Sequence, residues 1–143
     1  MKPKVKIKID DREPTRMIEL CKEAGMEVVR TRLKEGDYIC DDVCIERKQI
    51  DDFCNSIMNG RFKRQVDKMK KKFKYNYILV SGVISKRNSM QFHEHSILGK
   101  IASLMVREKM NIVTVETDEQ LAYLMERIFT KHMEVKHENE TDK

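Results

Sequence analysis

The sequence predicts an α/β domain in which a central mixed β-sheet is flanked by helices on both faces. Three observations carry that reading. Several short runs alternate apolar and polar residues at period two, the segments between them follow the helical period, and 143 residues fit one core. A chain of this size buries roughly two thirds of its unfolded surface.

Taken in order, KVKIKID (4–10) alternates like a strand. EPTRMIELCKEA (13–24) follows as a helix, with Pro14 in its first turn and Gly25 as its stop. MEVVRTRL (26–33) reads as a second strand. DYIC (37–40) and VCIERK (43–48) are β-prone runs separated only by Asp41 and Asp42, which suggests a tight hairpin. From Asp51 to about Lys74 the pattern is helical, with an interruption near Asn59–Arg61. YNYILVSG (75–82) is a buried strand, and MQFHEHS (90–96) leads into a helix carrying Ile97, Ile101, Leu104 and Met105. NIVTVE (111–116) is a further strand. DEQLAYLMERIF (118–129) is an amphipathic helix with Leu121, Leu124, Met125, Ile128 and Phe129 on one stripe. Residues 134–143 read as a disordered tail.

Charged residues make up 37% of the chain, against about 25% in an average domain. Lys plus Arg outnumber Asp plus Glu by 29 to 24, giving a formal charge of +5 and a pI near 9.0. A basic surface of this kind suits a polyanionic partner such as a nucleic acid. No apolar run approaches the roughly 18 residues of a membrane span, so no membrane partner is expected. No GxxxxGK[ST] occurs, which argues against an ATP-driven motor in these residues. Cys21, Cys40, Cys44 and Cys54, without a secretory signal, point to reduced thiols in an intracellular protein. A zinc site from Cys40, Cys44, His93 and His95 lacks a second CxxC-type pair, so buried free thiols are the favoured reading.

The hairpin concentrates charge. If Asp41 and Asp42 form a two-residue turn, Cys40 pairs with Val43, Ile39 with Cys44, Tyr38 with Ile45, and Asp37 with Glu46. Cross-strand Cβ atoms lie about 5 Å apart. At that separation like charges repel by roughly 3 kcal/mol at an effective dielectric of 20. Alternation puts Lys48 on the face of Glu46 and turns Arg47 away. A hard divalent cation relieves such repulsion, can polarise a phosphodiester and lowers the pKa of a bound water, while Lys48 can neutralise developing charge. A solvated acidic hairpin edge is the other reading of the same spacing.

GDY (36–38) followed by ERKQIDD (46–52) resembles the GDXnERKX3D signature of the XPF-type structure-specific endonucleases, a branch of the PD-(D/E)XK nuclease superfamily. IDDRE (9–13) is similar to that family's first-strand motif. SIMNGRFKRQ (56–65) is similar to its segment of a Ser-Ile pair, Gly, then Gln. The resemblance covers roughly residues 4 to 132 and implies a restriction-endonuclease-like fold, with residues 1–133 as the nuclease domain. It implies that Asp37 and Glu46 hold Mg²⁺, with Mn²⁺ as a substitute, and that Lys48 acts at the scissile phosphate. Asp52 completes the motif and is equally placed to satisfy helix N-terminal N–H groups. Arg47 belongs to the catalytic motif and, pointing away, is expected to be structural or ion-paired. Asp10 or Glu13 would add a carboxylate near the metal and Arg12 could contact a phosphate; a charged turn capping the next helix is the alternative for all three.

RFKRQVDKMKKKFKY (61–75) sets Arg61, Lys63, Arg64, Lys68, Lys70, Lys71, Lys72 and Lys74 against Asp67 alone. A solvated helix face looks the same, but beside the acid–Lys motif the run, with Gln65, reads as a phosphate-tracking surface. Lys86 and Arg87 extend it. The expected activity is metal-dependent endonucleolytic cleavage of branched or flapped DNA in repair, recombination or replication. A non-catalytic DNA-binding scaffold and a Holliday-junction resolvase-like enzyme are the alternatives. The resemblance also implies a homodimer through the C-terminal helices. No helix-hairpin-helix module follows the last nuclease helix, so the expectation is either a protein supplying one in trans or a minimal nuclease of low intrinsic selectivity.

Overall fold

The computed structural model describes residues 4–141. Residues 1–3, at the start of the expected nuclease domain, and residues 142–143, at the end of the expected tail, lie outside the described part. Strand β1 (Lys6–Asp10) leads into α1 (Thr15–Glu23) and the edge strand β2 (Glu27–Thr31). The hairpin of β3 (Tyr38–Cys40) and β4 (Val43–Gln49) follows, then α2 (Ile50–Met58) and α3 (Arg61–Lys72). Strand β5 (Tyr75–Ser81), α4 (Glu94–Val106), β6 (Asn111–Val115) and α5 (Asp118–Thr141) complete the order.

The six strands form one mixed sheet in the order β2-β1-β3-β4-β5-β6. β1–β2, β4–β5 and β5–β6 are parallel, whereas β3 pairs antiparallel with both β1 and β4. Parallel pairs need crossovers, and helices supply them; the antiparallel step needs only the Asp41–Asp42 turn. Asp41 takes φ of 50° there, a left-handed conformation that Asp tolerates better than most residues. The register is Tyr38 with Ile45, Ile39 with Cys44 and Cys40 with Val43, as the two-residue turn requires.

Alternation divides the core between the two faces. Ile7, Ile9, Val43, Ile45 and Leu79 pack under α1 and α5, with Met17, Ile18, Cys21, Leu121, Met125 and Phe129. Cys44, Ile78 and Val80 meet α2, α3 and α4 through Phe53, Ile57, Phe62, Val66, Met69 and Ile97. At roughly 1.5–3 kcal/mol for each large apolar side chain fully buried, these two clusters supply the main cohesive term. Neighbours along β4 therefore serve opposite layers, and that placement decides where Glu46, Arg47 and Lys48 point.

Several local expectations change in the structure. Pro14 stands at the N-cap of α1 rather than in its first turn. The long helical stretch breaks where expected: Gly60, between Asn59 and Arg61, has a φ of 77° that separates α2 from α3. A 3₁₀ turn at Ile84–Lys86 was not foreseen. Residues 134–141, read as a disordered tail, are instead the last two turns of α5. A helix already docked on the sheet extends at little cost, because nucleation is the unfavourable step. The Lys131–Glu134 pair at 3.4 Å and the Lys136–Asp41 pair at 3.8 Å lie along the extension. The start of α5 is fixed by a capping box: Gln120 N–H donates to Thr117 Oγ1 at 3.1 Å and Thr117 N–H to Gln120 Oε1 at 3.3 Å.

All four cysteines are free, three of them buried. His93 Nδ1 accepts from His95 N–H at 3.0 Å and caps α4. Among the described residues no Cys/His cluster can hold a metal, and no helix is long and apolar enough to cross a membrane.

Candidate active site

The site grows from the hairpin mouth. The β3–β4 ladder ends at Tyr38 and Ile45, and Asp37 continues it by donating its N–H to Ile45 O at 3.0 Å. Asp37 O accepts from Asp10 N–H at 2.9 Å, which ties the same residue to β1. Gly36 makes this approach possible. Its φ is 77°, and a Cβ there would stand 2.3 Å from Cys44 Sγ. No other residue fits both the conformation and the space.

Asp37 and Glu46 thus come together on the α2/α3 face, Glu46 buried in the sheet. Asp37 Oδ2 accepts from Arg47 N–H at 2.8 Å. Burial first, then the charge of Glu46, push Asp37 far above the ordinary carboxylate range. Burial also raises Glu46, against the opposing pull of Lys48 and of the Gln65 amide beside it. Lys48 Nζ lies 3.8 Å from Glu46 Oε2 and 3.3 Å from Asp52 Oδ2, over the Phe62 ring at 5.4 Å. Glu46 Oε1 has no hydrogen-bond partner among the described residues. A buried carboxylate oxygen without a donor, next to a second carboxyl, fits a hard cation: Mg²⁺ commonly takes one or two carboxylates and fills its remaining positions with water and substrate oxygens.

The other predicted residues occupy definite places. The buried Asp10 accepts from Leu33 N–H at 2.9 Å and from Arg12 Nε at 2.8 Å, and Arg12 Nη2 donates to Leu33 O at 3.0 Å. Burial pushes Asp10 up, but these hydrogen bonds outweigh it and hold its carboxyl below the usual range. Together the pair staples the β2–β3 loop over the site. Glu13 takes Arg47 in a two-pronged pair, Nε–Oε1 2.9 Å and Nη2–Oε2 3.3 Å, on the opposite face of the sheet. Among the described residues no three His, Cys, Asp or Glu converge as a metal cage. Asp10 and Glu13, expected beside the metal, are each engaged by an arginine. Asp52 is engaged by Lys48 rather than by backbone N–H groups, since α2 has no side-chain cap.

A cleft of about 350 Å³ opens over Asp37 and Glu46. Arg12, Lys34, Arg61, Arg64 and Lys68 line it, with Gln65. The β2–β3 loop contributes Lys34 and Glu35, which sequence reasoning missed although they directly precede Gly36 and Asp37. Lys72 sits 3.5 Å from Glu35, and Lys71 is not among the residues that line the cleft. Lys63 faces away, into a groove shared with α4. Arg87 does not join the basic surface: it is buried and donates to Ile84 O at 2.7 Å and Phe92 O at 2.6 Å.

A sheet of this order with paired carboxylates and a lysine at its mouth defines a domain of restriction-endonuclease-like fold. The family model described as the ERCC4 domain matches residues 9–128, and the chain belongs to that family. XPF from Aeropyrum pernix shares the fold, with a TM-score of 0.82 at 22% identity over 90% of this chain and 65% of that one. The same protein in complex with DNA matches at a TM-score of 0.82, 22% identity, 92% of this chain and 66% of that one. The "3'-flap repair endonuclease Xpf" of Saccharolobus solfataricus is 39% identical over 83 residues, 57% of this chain and 36% of its own length. The "DNA repair protein RAD1" of Saccharomyces cerevisiae is 40% identical over 57 residues, 39% of this chain and 5% of its own length. The chain thus spans about a third of the first of these relatives and far less of the second.

Proposed function

We propose that this chain is the catalytic module of a divalent-metal-dependent endonuclease that cuts DNA near branch points such as flaps and forks, in repair, recombination or replication. The observation that carries it is the pairing of half-buried Asp37 with buried Glu46, with an unpartnered Glu46 oxygen and Lys48 beside it. Membership of the ERCC4 domain family and the flap-repair activity named for an archaeal relative support the substrate class.

Asp37 and Glu46 hold Mg²⁺, with Mn²⁺ able to replace it. When bound, the ion polarises the phosphodiester and lowers the pKa of a water. The remaining work falls to this chain's own side chains. Lys48, held by Asp52, offsets charge developing on the scissile phosphate. Arg61, Arg64 and Lys68, joined by Lys34 and Arg12, track the backbone into the cleft. Asp10 and Glu13 act through Arg12 and Arg47, fixing the loop and the strand that carry the acids. A second copy pairs through the C-terminal helices, where Leu98 and Met105 on α4 and Tyr123 on α5 are exposed. A helix-hairpin-helix module supplied in trans would add to DNA docking.

The test is cleavage of labelled 3′-flap, fork, four-way-junction and plain duplex DNA with Mg²⁺ or Mn²⁺. Glu46→Gln and Lys48→Ala are each expected to slow flap or fork cutting by about 10²–10³-fold or more. Binding without cutting by the wild type turns the reading to a scaffold, and symmetric paired cuts at four-way junctions turn it to a resolvase.

A further inference from the structure

Helix α3 carries cations on two flanks, and only one flank faces the catalytic cleft. Arg61, Arg64 and Lys68 line that cleft. On the other side Lys63 looks into a separate groove of about 260 Å³ between α3 and α4. Lys100 of α4 and Arg107 at its C-cap enter the same groove seven residues apart, with Ser103 between them on the same side. Lys63, Lys100 and Arg107 are exposed and have no carboxylate partner among the described residues. The one acid there, Glu108, is taken by Lys70 at 3.4 Å. The groove therefore presents three free cations above an apolar floor of Ile57, Phe62 and Leu104. Phe62 joins the two sides, since its ring also lies under Lys48 Nζ at 5.4 Å.

We infer that this groove is a second phosphate track, which takes the single-stranded arm of a branched DNA while the scissile strand runs through the cleft. The occupant follows from charge and width. α3 and α4 both pack on α2, and the groove of about 260 Å³ left between them is the size of part of one sugar–phosphate backbone and not of a duplex. The two tracks lie across α3, about 10–12 Å wide with its side chains. Two strands following them are held apart by a helix at the point where a branch separates. Three cations with no partner of their own suit three phosphates, and the apolar floor suits the less polar sugar edges. The inference rests on the nuclease reading of the cleft and supplies what that cleft lacks, a contact that plain duplex DNA cannot make.

The test is equilibrium binding by fluorescence anisotropy in EDTA, which prevents cutting, over a salt series. The probes are a flap with a single-stranded arm and the same duplex nicked but armless. Lys63→Gln/Lys100→Gln/Arg107→Gln is expected to weaken flap binding roughly tenfold and to reduce its log K against log salt slope by about 2, leaving the nicked duplex unchanged. Arg61→Gln/Arg64→Gln/Lys68→Gln is expected to weaken both probes. Groove substitutions that leave flap affinity and slope unaltered, or that weaken both probes equally, overturn the inference even if the cleft substitutions act as expected. A selective loss from the groove set beside silent cleft substitutions supports the track and counts against the nuclease reading of the cleft. All six positions lie on the exposed sides of α3 and α4, and circular dichroism on each variant confirms that the fold is retained.

Discussion

Arg47 and Glu13 face each other as a two-pronged ion pair, with only 11% and 10% of their side chains exposed. The pair clamps the middle of β4 to the turn after β1, directly behind the sheet position of Glu46. Its partners leave neither charge free to serve the metal or the substrate.

Removing one member strands the other in a nearly dry site, which typically costs about 3–5 kcal/mol. Arg47→Ala is expected to lower the melting temperature by many degrees, whereas Lys48→Ala, which removes a largely buried ammonium from beside Glu46, lowers it by less, because Glu46 can take up a proton in its place. Arg47→Lys should recover only part of the loss, because an ammonium cannot reproduce the fork. Thermal denaturation of the three variants by circular dichroism checks this ordering.

Asp37 carries the pH dependence. Burial and then the Glu46 charge raise it from the ordinary 3.8 to about 9. Between those values the folded state binds more protons than the unfolded one, so metal-free stability falls as pH rises through that window. Asp37→Asn removes the need to keep a proton in the folded state that the unfolded chain gives up. It is expected to stabilise the metal-free protein at pH 8 by about 1–2 kcal/mol while abolishing cleavage. Scanning fluorimetry from pH 5 to 9 in EDTA should show the wild type losing melting temperature with pH and the variant losing less.

Metal should reverse that trend. Binding at Asp37 and Glu46 expels the proton the pair retains, so affinity rises with pH. Mg²⁺ or Mn²⁺ is expected to raise the wild-type melting temperature more at pH 8 than at pH 6, and to leave Glu46→Gln nearly unaffected. Isothermal titration calorimetry in two buffers of different ionisation enthalpy reads the released proton directly.

Gly36 is a backbone requirement of the site. Gly36→Ala combines a strained positive φ with a Cβ placed 2.3 Å from the Sγ of buried Cys44. A loss of about 1–3 kcal/mol is expected. Cleavage should fall further than stability explains, because Asp37 is the next residue. Comparing kcat at a temperature where the variant is fully folded separates the two effects.

The β3–β4 hairpin was legible in the sequence because strand alternation has an exact period: one turn length sets the register, and the register sets which charges meet. Glu46 with Lys48, and Arg47 on the other face, follow from that alone. The Leu33 contact of Asp10 and the Arg47 contact of Glu13 were not legible, because those partners are distant in sequence and are chosen by tertiary packing. The basic run 61–74 revealed its charge but not its division, since the flank taken by Lys63 depends on where α4 packs. The last turns of α5 were hidden by their polar composition, which gives no apolar stripe to read.

The most direct test of the account is single-turnover cleavage of a labelled 3′-flap by the wild type and by Glu46→Gln at pH 8 with Mg²⁺, with binding measured in parallel. Metal-dependent cutting near the branch is expected of the wild type, and the variant is expected to bind the flap with unchanged affinity but not to cut it. Cutting by Glu46→Gln at a rate close to the wild type's would contradict the assignment of the Asp37–Glu46 pair as the active centre.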